Sequence, residues 1–305
     1  MNSKRCILKT MLVIIALFFS LPCSYADNTA VPPTCLASTG DSISVGVDAE
    51  RFGDNTWASW VNGYYGFWQW LFGLTDVDSH NQRISRIYRR TRGVDRCNYM
   101  FAEAGDSSVD LADQVDAILA TYPLPTYVTV FIGQNDICRD RGEDITPVDD
   151  YILNVGSALN RLAAGLDEGA TILVVGPVDV TRLYEVAIDK KALGIVDCEV
   201  LWFFSLFNLY PCYSVLGPGV DDVDRLMILR DYIAPYNRRL SLLVDRLMSG
   251  HPDQNIIYTN AAFIYPFAED EVSDVDCFHP SAMGQTSLSE ITWDAVELVF
   301  PRPQH

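Results

Sequence analysis

The feature that most constrains this chain is an alternation repeated along its length: a short run of apolar, mostly β-branched residues, then a stretch with apolar residues at helical spacing. Runs that are apolar at successive positions cannot keep one face in water, so they suit strands covered by helices on both sides. The candidate strands are residues 34–38, 99–103, 127–132, 171–175 and 255–258. Between them, residues 110–121 place Leu111, Val115, Ile118 and Leu119 on one helical face, with Asp110 as N-cap and Pro123 just past the end. Residues 149–166 repeat the pattern, residues 224–248 form a long amphipathic segment that Pro235 should kink or split, and residues 283–299 make a last helix. Units of this kind build an α/β fold with a central parallel sheet of about five strands, and ligands then bind beyond the carboxyl ends of the strands.

The first residues stand apart from that pattern. Lys4, Arg5 and Lys9 precede an apolar run from Met11 to Leu21, broken only by Ser20, and Ser24-Tyr25-Ala26 supplies small residues at the positions a signal peptidase reads. The run is short for a membrane span. Cys23 opens a lipoprotein alternative, but Pro22 is a poor neighbour for lipid attachment, so residues 1–26 are expected to be a signal peptide and residues 27–305 a single domain. No repeat, low-complexity tract or Pro/Gly/Ser-rich linker divides it. Six cysteines remain beyond the leader, Cys35, Cys97, Cys138, Cys198, Cys212 and Cys277, an even set that reads as three disulfides in a secreted or periplasmic protein. The formal charge of −18 becomes −21 once the three leader cations are removed, which argues against nucleic acid as a partner and against strong adsorption to anionic membranes, leaving at most transient membrane contact.

Four glycine-bearing or polar blocks fall just after candidate strands, where the topology predicts a site. They are Gly40-Asp41-Ser42-Ile43, Gly105 within Ala104-Gly105-Asp106, Gly133-Gln134-Asn135-Asp136, and Asp276-Cys277-Phe278-His279. A serine hydroxyl is a poor nucleophile until a base takes its proton. His279 can be that base, with Asp276 three residues before it to hold the far ring nitrogen and stabilise the imidazolium. The Ser42 amide, the Gly105 amide and the Asn135 side chain can donate to a developing oxyanion, and loss of one such donor typically costs ~3 kcal/mol of barrier stabilisation. An α/β-hydrolase elbow needs Gly two residues past the nucleophile, and Ser44 stands there instead.

These blocks, in this order, resemble the SGNH, or GDSL-type, hydrolases across nearly the whole chain past the leader. The strings Ile132-Gly133-Gln134-Asn135-Asp136-Ile137-Cys138 and Asp276-Cys277-Phe278-His279-Pro280-Ser281 are most similar to the phospholipase B-like and bacterial secreted esterase branch. Ile43 replaces the usual Leu, and Gln134 stands where Ala or Thr is common. The resemblance implies a flavodoxin-like three-layer α/β/α sandwich and hydrolysis of carboxylic esters through a Ser42 acyl-enzyme, as esterase, lipase or lysophospholipase, with no cofactor and with small-molecule or lipid esters as substrates. Choline esters and acetylated glycans are the alternatives within that chemistry. An inactive lipid- or glycan-binding module is the alternative outside it.

Other features take blander readings. Asp136 is expected to hold a loop rather than act as an acid. His80 begins a helix, His251 ends one, and no metal site is expected because no carboxylate cluster accompanies them. The aromatic stretch from Trp57 to Phe72 is expected in the core and a lid, with an acyl or quaternary-ammonium pocket as the functional version. The apolar patch at Leu201 to Tyr210 would be closed into a short loop by a Cys198–Cys212 bond, either packed inward or forming a rim that touches lipid. Arg83, Arg86, Arg89, Arg90, Arg92 and Arg96 read as a solvated, acid-paired helix face. Cys35 is expected to join Cys97, and Cys138 to join Cys277.

Overall fold

The computed structural model describes residues 30–92, 97–139, 144–203, 212–216 and 223–301. The leader expected over residues 1–26 lies outside the described residues, as do Arg96, the side chains of Arg89, Arg90 and Arg92, and most of the 201–210 patch.

A five-stranded, all-parallel sheet runs through the centre in the order β2-β1-β3-β4-β7. Its strands are β1 (Leu36–Gly40), β2 (Asn98–Met100), β3 (Tyr127–Phe131), β4 (Thr171–Val175) and β7 (Asn255–Thr259). A two-stranded antiparallel pair, β5 (Lys191–Ala192) and β6 (Val196–Asp197), projects from the segment after β4. Every residue of β1, β3 and β4 is buried, as the continuous apolar runs predicted. Strand β1 is shifted by two residues from the expected 34–38: its pairing begins at Leu36 and runs on through Thr39 and Gly40, which pair in register with Val130 and Phe131. Strand β2 is shorter than expected, since as the edge strand it pairs with β1 alone.

On one face, helices α1 (Leu111–Leu119), α2 (Val148–Gly165) and α3 (Val223–Gly250) pack side by side. Pro235 does not split α3, which runs through it. A mid-helix proline costs ~3 kcal/mol or more, and burial of Leu229, Ile233, Tyr236, Leu240 and Val244 along the same face outweighs it. On the other face, Trp60, His80 and Trp293 pack together, with Trp60 edge-on to Phe131 and His80 stacked on Tyr127. His80 begins a helix (His80–Arg92), as expected, and is fully buried. Burial drives its pKa down to about 3, and its ring lies 2.8 Å from the Tyr127 hydroxyl and 3.1 Å from the Ser289 carbonyl. The final helix α4 (Ala282–Trp293) ends six residues before the expected limit, in turns that bury Val296 and Phe300.

Two further expectations are corrected. The aromatic stretch divides: Trp60 is fully buried, whereas Tyr64, Tyr65, Phe67, Trp68, Trp70 and Phe72 are exposed around the short helix Phe67–Leu71. The disulfides are Cys35–Cys97, Cys138–Cys212 and Cys198–Cys277. The first is as expected. Cys138 does not join Cys277, nor Cys198 join Cys212, because Cys212 lies against Cys138 and Cys198 against Cys277, with Cα–Cα distances of 4.4 and 5.7 Å. Arg83 and Arg86 both pair with Asp78, which matches the acid-paired reading of that helix.

Candidate active site

The site is assembled at the carboxyl edge of the sheet, where the chain leaves β1 towards β2 on one side and β3 lies on the other. Parallel sheets open a crevice at such a switch point. The turn after β1 is unusually tight. Gly40 has φ +145°, and a Cβ there would stand 2.5 Å from both the Phe131 carbonyl and Ser44 Oγ, so only glycine fits. Asp41 caps the one-turn helix Ser42–Val45 by accepting from the Ile43 amide at 3.0 Å. Burial raises the Asp41 carboxyl to about 7, only partly opposed by the Ile43 N–H and the nearby His279. Ser42 is thereby presented at the first helical position, with its amide pointing out of the turn.

Two glutamines hold this turn in place. Gln114, on α1, accepts from the Gly40 amide and donates to the Gly40 carbonyl, both at 2.8 Å, and donates to Asp106 at 2.6 Å. Gln285, on α4, donates to the Ile43 carbonyl and accepts from the Trp60 amide, both at 2.9 Å. Neither was singled out from the sequence. A signal was present for Gln114, which interrupts the apolar face formed by Leu111, Val115 and Ile118.

Gly105 adopts φ +93° in the turn after β2, and nothing described lies within 4 Å of the place its Cβ would take. Asn135 donates from Nδ2 to the Asp106 carbonyl at 2.8 Å, which locks its side chain beside that turn and leaves its second amide hydrogen to give. Among the described residues, neither the Ser42 nor the Gly105 amide donates to a protein acceptor. Asp136 accepts from the Ser108 amide and hydroxyl at 2.8 and 2.7 Å. It binds the two loops together, as expected of a loop-holding residue.

The last block closes the site. Asp276 Oδ1 accepts from the amides of Phe278 and His279, and its Oδ2 lies 2.5 Å from His279 Nδ1. A carboxylate only accepts, so Nδ1 carries the proton and Nε2 is free to accept. His279 Nε2 is 2.8 Å from Ser42 Oγ. Burial alone would lower the His279 pKa; Asp276 first, then Asp48 and Asp41, outweigh it and hold the ring above its ordinary value. The loop is fastened from outside by the segment after β4. Cys277, at φ +61°, is bonded to Cys198, Trp202 Nε1 donates to the Asp276 carbonyl at 3.1 Å, and the buried Lys190 ammonium donates to the carbonyls of Glu269 and Val272. Lys190, Trp202 and Asp48 carry no sequence pattern that marks them. Asp48, Asp276 and His279 do bring one potential ligand atom each within 4.8 Å of one another, but two of the three are already engaged in the chain leading to Ser42.

The profile of the GDSL-like Lipase/Acylhydrolase family matches residues 37–291, which span all four blocks. The chain belongs to that family. As a GDSL-like hydrolase it has solved structural relatives of low identity. A variant of Axe2, an acetyl-xylooligosaccharide esterase from Geobacillus stearothermophilus, is 16% identical, over 88% of this chain and 96% of that one, with a TM-score of 0.49. LAE5, an alpha/beta hydrolase enzyme from the metagenome of Lake Arreo, is 14% identical over 89% and 96%, at 0.45. The esterase EstA from Pseudoalteromonas sp. is 12% identical over 87% and 97%, at 0.42. No curated protein sequence matches the chain.

Proposed function

We propose that this GDSL-like hydrolase is a secreted or periplasmic serine carboxylic-ester hydrolase that works through an acyl-enzyme on Ser42. The observation that carries the reading is the unbroken chain from Asp276 through His279 to Ser42, with contacts of 2.5 and 2.8 Å. In the first half-reaction Ser42 Oγ attacks the ester carbonyl carbon while His279 Nε2 takes its proton. Asp276 holds the ring in the needed tautomer and stabilises the imidazolium. Negative charge then collects on the former carbonyl oxygen, where the Ser42 and Gly105 amides and the remaining Asn135 N–H can donate to it. His279 returns the proton to the departing alkoxide, the alcohol leaves, and water repeats the sequence on the acyl-enzyme. The three disulfides among the described residues support the expected location.

Within ester hydrolysis we place lipid-type esters, lysophospholipids among them, ahead of choline esters and acetylated glycans. The supporting observation is the exposed group Phe67, Trp68, Trp70, Leu71 and Phe72. It is tied to the segment that follows the Ser42 helix through Arg51, which donates to the Phe72 carbonyl at 3.3 Å, and Glu50, which accepts from Thr75. Aromatic surfaces of this size favour apolar ligands. The test is labelling with a fluorophosphonate followed by an ester panel. A covalent adduct on Ser42, absent from Ser42→Ala along with turnover of a short-chain nitrophenyl ester, is expected. Unchanged turnover by folded Ser42→Ala would reject the mechanism, and turnover of acetylated glycans alone would reject the substrate class.

A further inference from the structure

We infer that Asp48 is a second carboxylate for His279, a positioning residue that shares with Asp276 the positive charge the ring acquires when Ser42 attacks. The inference rests on the catalytic roles proposed above for Ser42 and His279. An oxygen of Asp48, an oxygen of Asp276 and a ring nitrogen of His279 all lie within 4.8 Å of one another. Asp48 is nearly buried, so its field reaches the ring through little water.

Its placement is built rather than incidental. The segment after the Ser42 helix turns back on itself, with the Asp48 amide donating to the Gly53 carbonyl at 2.9 Å and the Gly53 amide donating to Asp48 Oδ1 at 2.6 Å. Asp48 takes φ +52°, a left-handed conformation that aspartate tolerates better than most residues. Two bonds then fasten this turn to the loop that carries His279. Ser273 Oγ donates to the Asp48 carbonyl, and the Ala282 amide donates to the Ala49 carbonyl at 2.9 Å. Those anchors lie six residues before and three residues after His279. A turn attached on both sides of the base cannot drift from it.

The charges around the pair are one-sided. Asp276, Asp48 and Asp41 face His279, and Asp276, His279 and Asp54 face Asp48. Burial raises the Asp48 carboxyl, and the neighbouring Asp276 and Asp54 add to that, while the Gly53 N–H and His279 oppose it. The imidazolium is therefore the one cation in this set that favours the ionised form of Asp48. Charge on the ring and charge on Asp48 stabilise each other, so Asp48 makes His279 a stronger base than Asp276 alone would.

The alternative is that Asp48 serves only its own turn with Gly53. Asp48→Asn separates the two, because an amide oxygen still accepts from the Gly53 N–H but carries no charge. The measurement is the pH dependence of kcat/KM, whose acid limb reports the free-enzyme base. In Asp48→Asn the limb is expected to move to lower pH by about 0.5 unit or more, the shift a unit charge at this separation gives even in a water-like dielectric. Asp48→Ser, which keeps an acceptor in a smaller side chain, should move it the same way. A limb that stays in place in both variants, with their thermal midpoints close to wild type, would overturn the inference. Should both fail to fold, NMR titration of the wild-type protein decides: the Asp48 carboxyl carbon should show an inflection at the pH where the His279 ring titrates, and its absence would count equally against the proposal. Loss of all turnover in Ser42→Ala with an unmoved Asp48→Asn profile would leave the triad standing and remove only Asp48.

Discussion

Replacing Asp41 by Asn should flatten the dependence of stability on pH. The Asp41 carboxyl is fully buried; Oδ1 accepts from the Ile43 amide, and Oδ2 has no hydrogen-bond partner among the described residues. Burial therefore raises its pKa from 3.8 to about 7, with Asp136 and Asp106 adding to the shift and the Ile43 N–H and His279 opposing it. A folded-state pKa above the unfolded one means that the native protein holds this proton more tightly. The contribution is fully present below about pH 4 and is lost as pH rises through about 7. At about 1.36 kcal/mol for each step of one in pKa, the change from 3.8 to about 7 corresponds to roughly 4 kcal/mol. Asn keeps an oxygen for the Ile43 amide and does not titrate, so the helix cap survives. Urea unfolding at constant ionic strength, disulfides intact, should show the stability of Asp41→Asn relative to wild type climbing by roughly 4 kcal/mol between pH 4 and pH 8. The absolute offset at pH 4 depends on how the buried amide hydrogens are accommodated. The slope does not. Parallel curves for the two proteins would refute the reasoning and mean that Asp41 titrates as it does in water.

Two further substitutions test the scaffold around the site. Lys190→Met keeps the length of the side chain but removes the donor to the Glu269 and Val272 carbonyls and the 2.8 Å pair with Asp274. It should cost about 2–3 kcal/mol in unfolding free energy and lower kcat/KM, and unchanged values for both would show that the segment after β4 does not hold the His279 loop. Gly133→Ala would place a Cβ 2.9 Å from both Pro177 and Tyr151 at φ +129°, so a loss of about 1–3 kcal/mol is expected, with kcat falling more than KM rises because Asn135 moves with the loop. Wild-type kinetics and thermal midpoint would show that the loop absorbs the methyl freely.

Much of the fold could be read from the chain because its signals are local. Residues 171–175 are a strand in both readings, since five consecutive apolar or β-branched residues have no exposed face to offer. The helix over residues 111–119 follows from spacing alone. Pro235 shows the limit of that approach: a local penalty predicted a break, and burial along a 28-residue helix overrode it. The aromatic stretch failed for a related reason. Hydrophobic residues are usually inside, yet whether a particular group is covered depends on what else packs there, and Phe67, Trp68 and Trp70 are left uncovered.

By itself the sequence determined the order of strands and helices, the four blocks after the strands and hence which serine, histidine and aspartate could meet, because period, turn chemistry and residue type are properties of neighbours along the chain. Only the tertiary structure decided that Gln114 and Gln285 hold the Ser42 turn, that Cys277 pairs with Cys198 rather than Cys138, and that Asp48 faces His279. Those contacts join residues tens to hundreds of positions apart. Their existence depends on distances that arise when helices and loops pack against the sheet, and nothing in the local pattern encodes them.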